Sequence, residues 1–174
     1  MRSIRRWLGL EESDSREARD TETVRRIASE LDRLDADDAR YIASFAYVLA
    51  RVAHADLEIS PVEVSEMERR VAELGELPPA QAALVVQIAK TQSLTLGGTE
   101  DYVVTRQFRD QSTRDQRLAL LRCLYAIAAA DDDVSHLEDS EIGKVATELG
   151  LTTTELAAAR SAYREYLAVL KDSR

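Results

Sequence analysis

One segment of this chain occurs twice, and two copies of a single supersecondary unit restrict the fold more than any isolated helix or strand signal does. Ala55-Asp56-Leu57-Glu58-Ile59-Ser60-Pro61-Val62-Glu63-Val64-Ser65-Glu66-Met67 returns 75 residues later as Ala130-Asp131-Asp132-Asp133-Val134-Ser135-His136-Leu137-Glu138-Asp139-Ser140-Glu141-Ile142. The match runs on through Glu73-Leu74-Gly75 and Glu148-Leu149-Gly150, with nine of the 21 aligned positions identical. A stretch rich in Ala and Leu precedes each copy, and another helical stretch follows its Leu-Gly stop. The repeated unit is therefore helix, acidic loop, helix, helix, with the two repeats covering about 38–95 and 113–170. Packing of corresponding apolar faces about a pseudo-twofold axis is expected to bring the two acidic loops near one another.

The periodicity inside and around the copies is helical. Apolar residues recur at spacings of three and four, β-branched alternation is nearly absent, and the chain has only 6 Gly and 3 Pro. The expected fold is all-α, a single helical-bundle domain of two pseudo-symmetric repeats with about eight helices. Start and stop signals place them near 21–34, 37–55, 61–74, 79–94, 100–110, 113–130, 136–149 and 153–170. In the second of these Tyr41, Ile42, Phe45, Val48, Leu49 and Val52 share one face, which marks a core helix. Leu96-Gly97-Gly98-Thr99 is the clearest interior break. Residues 1–20, a basic opening followed by a polar stretch from Glu11 to Asp20, read as a flexible segment ahead of a domain at 21–174.

Charge and composition exclude several function classes. With 23 Lys and Arg against 32 Asp and Glu the net charge is −9, which repels a phosphate backbone, so nucleic acid is not an expected partner. The one cysteine, Cys123, lies in the apolar run Leu118 to Ala130 and reads as a small core residue in a reducing compartment. No apolar run approaches the roughly 20 residues that span a bilayer, and the basic start has no apolar signal core behind it. A cytoplasmic location is expected. Within residues 1–10, Arg2, Arg5 and Arg6 alternate with Ile4, Trp7, Leu8 and Leu10. On a helix these give a short basic face beside an apolar one, suited to weak peripheral contact with an anionic membrane or a partner groove, while a frayed terminus or one that packs on its own domain is the favoured reading.

The acidic loops carry the most chemistry. Ser60 with Glu63, and Ser135 with Glu138, have the spacing of a capping box, strengthened in the first copy by Pro61 at the first helical position. Capping does not account for Asp56 and Glu58, or for Asp131, Asp132 and Asp133, which follow the carbonyl end of a long apolar helix where negative charge is disfavoured. Solvation alone or a bound cation would offset that repulsion. Glu66 and Glu141, one turn beyond the capping glutamates, would point from the next helix toward the same place. An all-oxygen shell favours calcium, magnesium or manganese over zinc. The loops are not EF-hands, because that register places Val52 and His54 where the first acidic ligands belong and Leu57 where glycine is needed; the second copy offers Ile127 and Ala129.

A helix ending in Ala-Asp-x-Glu/Asp-Ile/Val-Ser-x-x-Glu, present twice in an acidic helical domain, resembles the TerB-like tellurite-resistance family over about 130 residues, from near Asp37 to near Tyr166. The resemblance implies two pseudo-symmetric helical halves whose acidic residues cluster as a divalent-metal site. Carried over by position, the implied ligands are Asp56, Glu58, Glu63 and Glu66 with Asp131, Asp133, Glu138 and Glu141. The sequence departs from the family pattern at Leu57 and Asp132, where glycine usually follows the aspartate. The family has no established catalytic reaction and is associated with metal-related stress responses, often through membrane-associated complexes.

Nothing else in the chain points to catalysis. His54 and His136 occupy non-equivalent places in the repeat, and there is no glycine-rich phosphate loop and no H-E-x-x-H helix. A metal-dependent hydrolase would need a base or anion-binding group beside the metal, which no residue here singles out. The expected function is thus a non-enzymatic module that binds a divalent cation at its paired acidic loops and so regulates contact with a protein partner. Cation binding would offset carboxylate repulsion and favour one relative placement of the halves. The alternative is a metal-independent interaction scaffold whose acidic loops are solvated caps.

Overall fold

The computed structural model describes residues 22, 25–52, 61–92, 101–131 and 134–167, with the side chains at 61–63, 91–92, 101 and 131 outside that description. The basic stretch 1–10, the polar stretch 11–20, His54, the whole first acidic loop with its Ser60 cap, Asp132 and Asp133 of the second loop and the Gly97-Gly98 break therefore lie outside the described residues. The chain separates into two compact units, Met1–Asp35 and Ala36–Arg174. In the first, residues 25–31 are helical, and the helix closes with the Asp32 amide donating to the Ala28 carbonyl at 2.9 Å.

The second unit is built of helices joined by short connections, with one isolated β-bridge among its described residues. Its α-helices are α1 (Ala36–Val52), α2 (Pro61–Gly75), α3 (Pro79–Gln92), α4 (Asp101–Gln111), α5 (Arg114–Ala128), α6 (His136–Glu148) and α7 (Thr153–Ser161). A 3-10 turn at Ala129–Asp131 extends α5, and another at Arg164–Tyr166 follows α7. The expected all-α fold is what the chain adopts. Helices α1–α2–α3 and α5–α6–α7 occupy the two copies in the same order, α2 and α6 begin 75 residues apart, and α4 lies between the copies in sequence.

Local chemistry sets the helix ends. Asp37 and Asp38 sit in the first turn of α1 and Arg51 in its last, in keeping with the helix dipole. Among the described residues capping boxes open three helices: Thr113 with Gln116 on α5, Ser135 with Glu138 on α6, and Thr152 with Glu155 on α7. The repeat's glycines then serve different ends. Gly150 adopts φ +69°, the left-handed residue that lets the Leu151 amide reach back to the Ala146 carbonyl at 3.0 Å. In the first copy α2 runs two residues further, Glu76 takes the left-handed place at φ 55°, one position later than Gly150 in the repeat, and the Leu77 amide reaches Ala72 at 3.2 Å. Gly75 is instead a close approach, since a Cβ there would lie 3.2 Å from Phe45 Cζ and 3.5 Å from Cys123 Sγ.

The core is built from the apolar stripes of these helices. Ile42, Phe45, Val48 and Leu49 of α1, Val71 of α2, Val85 and Val86 of α3, Phe108 of α4, Leu120, Leu121 and Leu124 of α5, and Ile142 and Val145 of α6 are all fully buried. Cys123 is buried with them. Tyr41, Phe45 and Phe108 join α1 to α4 through ring contacts of 5.2 to 6.0 Å. Helix α1 packs on α6 and α5 packs on α2, so corresponding helices of the two copies meet in reciprocal fashion.

The last helix departs from expectation. Its pattern predicts a run to about 170, yet α7 stops at Ser161, and Tyr163 leaves helical geometry at φ −116°, ψ 21°. Tertiary contacts override the local preference. Tyr163 stacks on Tyr125 at 5.9 Å, and Leu167, 2% exposed, forms an isolated parallel bridge with Val134 of the second acidic loop. The Val134 amide donates to the Tyr166 carbonyl at 2.7 Å. A straight helix would carry Tyr163 and Leu167 away from both partners.

Candidate functional site

Of the eight carboxylates expected to hold a cation, Asp56, Glu58 and Asp133 lie outside the described residues. Glu63 sits in the first turn of α2 and Asp131 ends the 3-10 turn after α5, their side chains likewise outside the description. Glu66, Glu138 and Glu141 are described, and each already has partners within the protein.

Glu138 closes the α6 capping box: its Oε2 accepts the Ser135 amide at 2.9 Å and the Ser135 hydroxyl at 2.7 Å, while its own amide donates to Ser135 Oγ at 3.2 Å. Glu66 accepts from Arg69 through both oxygens, at 2.7 and 3.0 Å, and from Arg70 Nε at 2.8 Å. Hydrogen bonds from Arg69 and then Arg70 bring its carboxyl down to about 2. Glu141 accepts from Arg51 Nε at 2.6 Å and from Lys144 Nζ at 3.0 Å. Burial raises its pKa, and the hydrogen bonds from Lys144 and Arg51 more than reverse this, leaving it below the ordinary value.

Arg51 is the centre of a charged constellation that spans three helices. Its side chain is only 7% exposed, and besides Glu141 it reaches Glu148, with Nη1 to Oε2 at 2.6 Å and Nη2 to Oε1 at 3.2 Å, and Thr105 Oγ1 at 3.0 Å. Thr105 is fully buried on α4, and Glu141 and Glu148 stand two turns apart on one face of α6. One planar guanidinium thus ties α1, α4 and α6 together. The expectations from sequence included Glu141 but missed Arg51, Glu148 and Thr105. One available signal was the recurrence of a glutamate pair seven apart, Glu66/Glu73 and Glu141/Glu148, in both copies.

The first copy makes the reciprocal contact. Arg70 of α2, held at Nε by Glu66, donates through Nη1 to the Ala126 carbonyl in the last turn of α5. Ala126 is the repeat counterpart of Arg51, and Glu66 that of Glu141. A second polar cluster joins Asp139 of α6 to Arg160 of α7, at 2.9 Å from Nε, and to the Tyr125 hydroxyl at 3.1 Å.

Both oxygens of Glu66 and of Glu141 accept from guanidinium or ammonium groups, and Oε2 of Glu138 closes the α6 cap. Among the described residues no group of three or more His, Cys, Asp and Glu is gathered as a metal centre. Chemistry of other kinds finds little: Cys123 is buried and its thiol is pushed up to about 12 by desolvation. Between α1 and α4 runs an open groove of about 580 Å³ lined by Arg40, Ala43, Ser44, Tyr47, Gln107 and Gln111 among others. Helix α4 also exposes Tyr102 and Val103 by 54% each. No helix of the described residues is long and apolar enough to cross a membrane.

A family model described as tellurite resistance protein TerB matches residues 41–161. The matched stretch runs from the first half of α1 to the end of α7 and takes in both acidic repeats. No curated protein and no solved structure matches the chain.

Proposed function

The chain belongs to the TerB family of tellurite resistance proteins, and from that premise we propose that it is a non-enzymatic helical module whose two acidic loops respond to a divalent cation and thereby regulate contact with a partner protein. The ligands in this reading are the loop carboxylates Asp56, Glu58, Asp131 and Asp133 with Glu63, and the ion is calcium, magnesium or manganese. Glu66, Glu138 and Glu141 are left out of the shell. The observation that carries the reading is the Arg51–Glu141 bond at 2.6 Å. Arg51 stands in the last turn of α1, which precedes the first acidic loop in sequence, and the second loop enters α6 five residues before Glu141. One guanidinium therefore joins the helix that precedes the first loop in sequence to the helix that follows the second. The reading assigns the module to the cytoplasm, in a metal-related stress response, with a protein partner that is itself membrane-associated.

Thermal unfolding of metal-stripped protein, titrated with calcium, magnesium, manganese and zinc, tests this. Site binding raises the melting temperature with ion concentration, by roughly 2.7 kcal/mol of added stability at a hundredfold excess over Kd. Asp56→Asn/Asp131→Asn should abolish the rise. No rise from any ion at millimolar levels sinks the cation reading. What then stands is the metal-independent scaffold, favoured by the α1/α4 groove and the exposed Tyr102 and Val103.

A further inference from the structure

We infer that Arg51 and Arg70 form a two-way latch between the repeats, so that the halves are locked together by the protein's own cations and their placement does not wait for a metal ion. The inference deepens the cation reading above and rests on it only for where the ion binds. Its geometry is reciprocal. Arg51 crosses from the end of α1 in the first repeat to Glu141 and Glu148 on α6 in the second, and Arg70 crosses from α2 in the first repeat to the carbonyl end of α5 in the second. The contacts join position 51 to 141 and position 126 to the Glu66–Arg70 pair, which are equivalent contacts once the 75-residue offset is applied.

Each latch suits arginine. The Arg51 fork satisfies three acceptor residues at once from a site 7% exposed, whereas an ammonium is a single point charge with no such planar fork. The Ala126 carbonyl lies at the negative end of the α5 dipole, where a guanidinium is favoured. A divalent ion competing for Glu141 would strip Arg51 of one partner while leaving its charge desolvated, a large penalty. The helix glutamates are therefore counter-ions for the latch, and a cation acts on the loops of an already locked core.

The native cysteine reads this directly. Cys123 is the chain's one cysteine, is fully buried on α5, and packs where α2 ends at Gly75 and where Phe45 of α1 reaches across. Its labelling rate with Ellman's reagent thus reports separation of first-repeat helices from α5. In the full chain without metal, Arg51→Met and Arg70→Met should each speed labelling by about tenfold or more relative to wild type. Arg51→Lys should restore it only in part. Glu148→Gln, which keeps an acceptor and the fold, provides the milder variant and should give an intermediate rate. Glu141→Gln should also label faster yet retain the full cation-induced rise in melting temperature, whereas Asp56→Asn/Asp131→Asn should label as wild type. Wild-type labelling rates in Arg51→Met, Arg70→Met and Glu148→Gln would overturn the latch, as would loss of the cation-induced rise in Glu141→Gln. If wild type itself shows no such rise, the cation reading fails and the labelling rates alone decide the latch.

Discussion

Replacing Arg51 by Met removes the guanidinium but keeps an apolar stem of similar length, so the change isolates the charge network from the packing of the α1 end. The variant leaves Glu141 and Glu148, 25% and 16% exposed, without their main counter-ion, and leaves buried Thr105 Oγ1 without the Arg51 hydrogen bond. Breaking a buried ion pair costs about 3–5 kcal/mol. Both glutamates keep some contact with water and Glu141 keeps Lys144, so the cost falls around and below the lower end of that range, at about 2–4 kcal/mol. At about 3 °C per kcal/mol for a domain of this size, the melting temperature should fall by about 6–12 °C. Urea unfolding of wild type, Arg51→Met, Glu148→Gln and the double variant completes a cycle. Glu148→Gln alone should cost about 1–2 kcal/mol, and the double variant should fall short of additivity by about 1–2 kcal/mol. A loss below about 1 kcal/mol in Arg51→Met, the range of an exposed pair, would refute the reasoning, and so would full additivity.

Three further outcomes follow from other parts of the molecule. Gly150→Ala should lose about 1 kcal/mol, because Gly150 holds φ +69° while a Cβ there meets nothing closer than 3.6 Å, and Gly150→Asn should lose less; chemical denaturation of the two variants separates conformational cost from crowding. Leu167→Asp should abolish the Val134–Leu167 bridge and accelerate hydrogen exchange at the Val134 amide, with amides in the centre of α1 unaffected; unchanged exchange at Val134 would mean that the bridge does not protect the second acidic loop. Glu155, held down to about 2 by the Thr152 amide and hydroxyl and by Arg114, and Glu66, held down to about 2 by Arg69 and Arg70, both have folded-state values below the ordinary 4.5. Their contribution is complete above pH 4.5 and is lost as pH falls toward 2, so melting temperature at constant salt should decline across that window. Glu155→Gln and Glu66→Gln should each flatten the decline.

Several features were legible because their causes are local. The helices starting at residues 61 and 136 follow from proline at a first turn and from Ser-x-x-Glu, and the second of these capping boxes forms as its spacing implies. Cys123 is the core residue that its apolar neighbours indicate. The role of Glu141 was not legible, because its arginine partner is 90 residues away and a further partner of that arginine is 97 residues from it. An acidic residue on a helix reads the same in a sequence whether it faces a metal, water or a guanidinium. Glu66 shows the local version of this ambiguity: Arg69 and Arg70 stand three and four residues on, a spacing that pairs charges along one helix face, yet the repeat pattern drew attention to the glutamate instead.

The amino-acid sequence alone determined that the second unit is a set of amphipathic helices in two matching series, since apolar period, caps and left-handed stops act within a few residues of one another. It also determined the family, because the match to the TerB model over residues 41–161 is made on the amino-acid string and needs no coordinates. Tertiary structure alone decided which charges are used up: Arg51 is desolvated only when α1, α4 and α6 converge, and its fork then selects Glu141, Glu148 and Thr105 from many possible acceptors. It decided, too, that the last helix gives way after Ser161, because stacking Tyr163 on Tyr125 and burying Leu167 beside Val134 outweigh one more turn of helix. Electrostatic and packing energies depend on distance and desolvation, and those exist only after distant segments have been brought together.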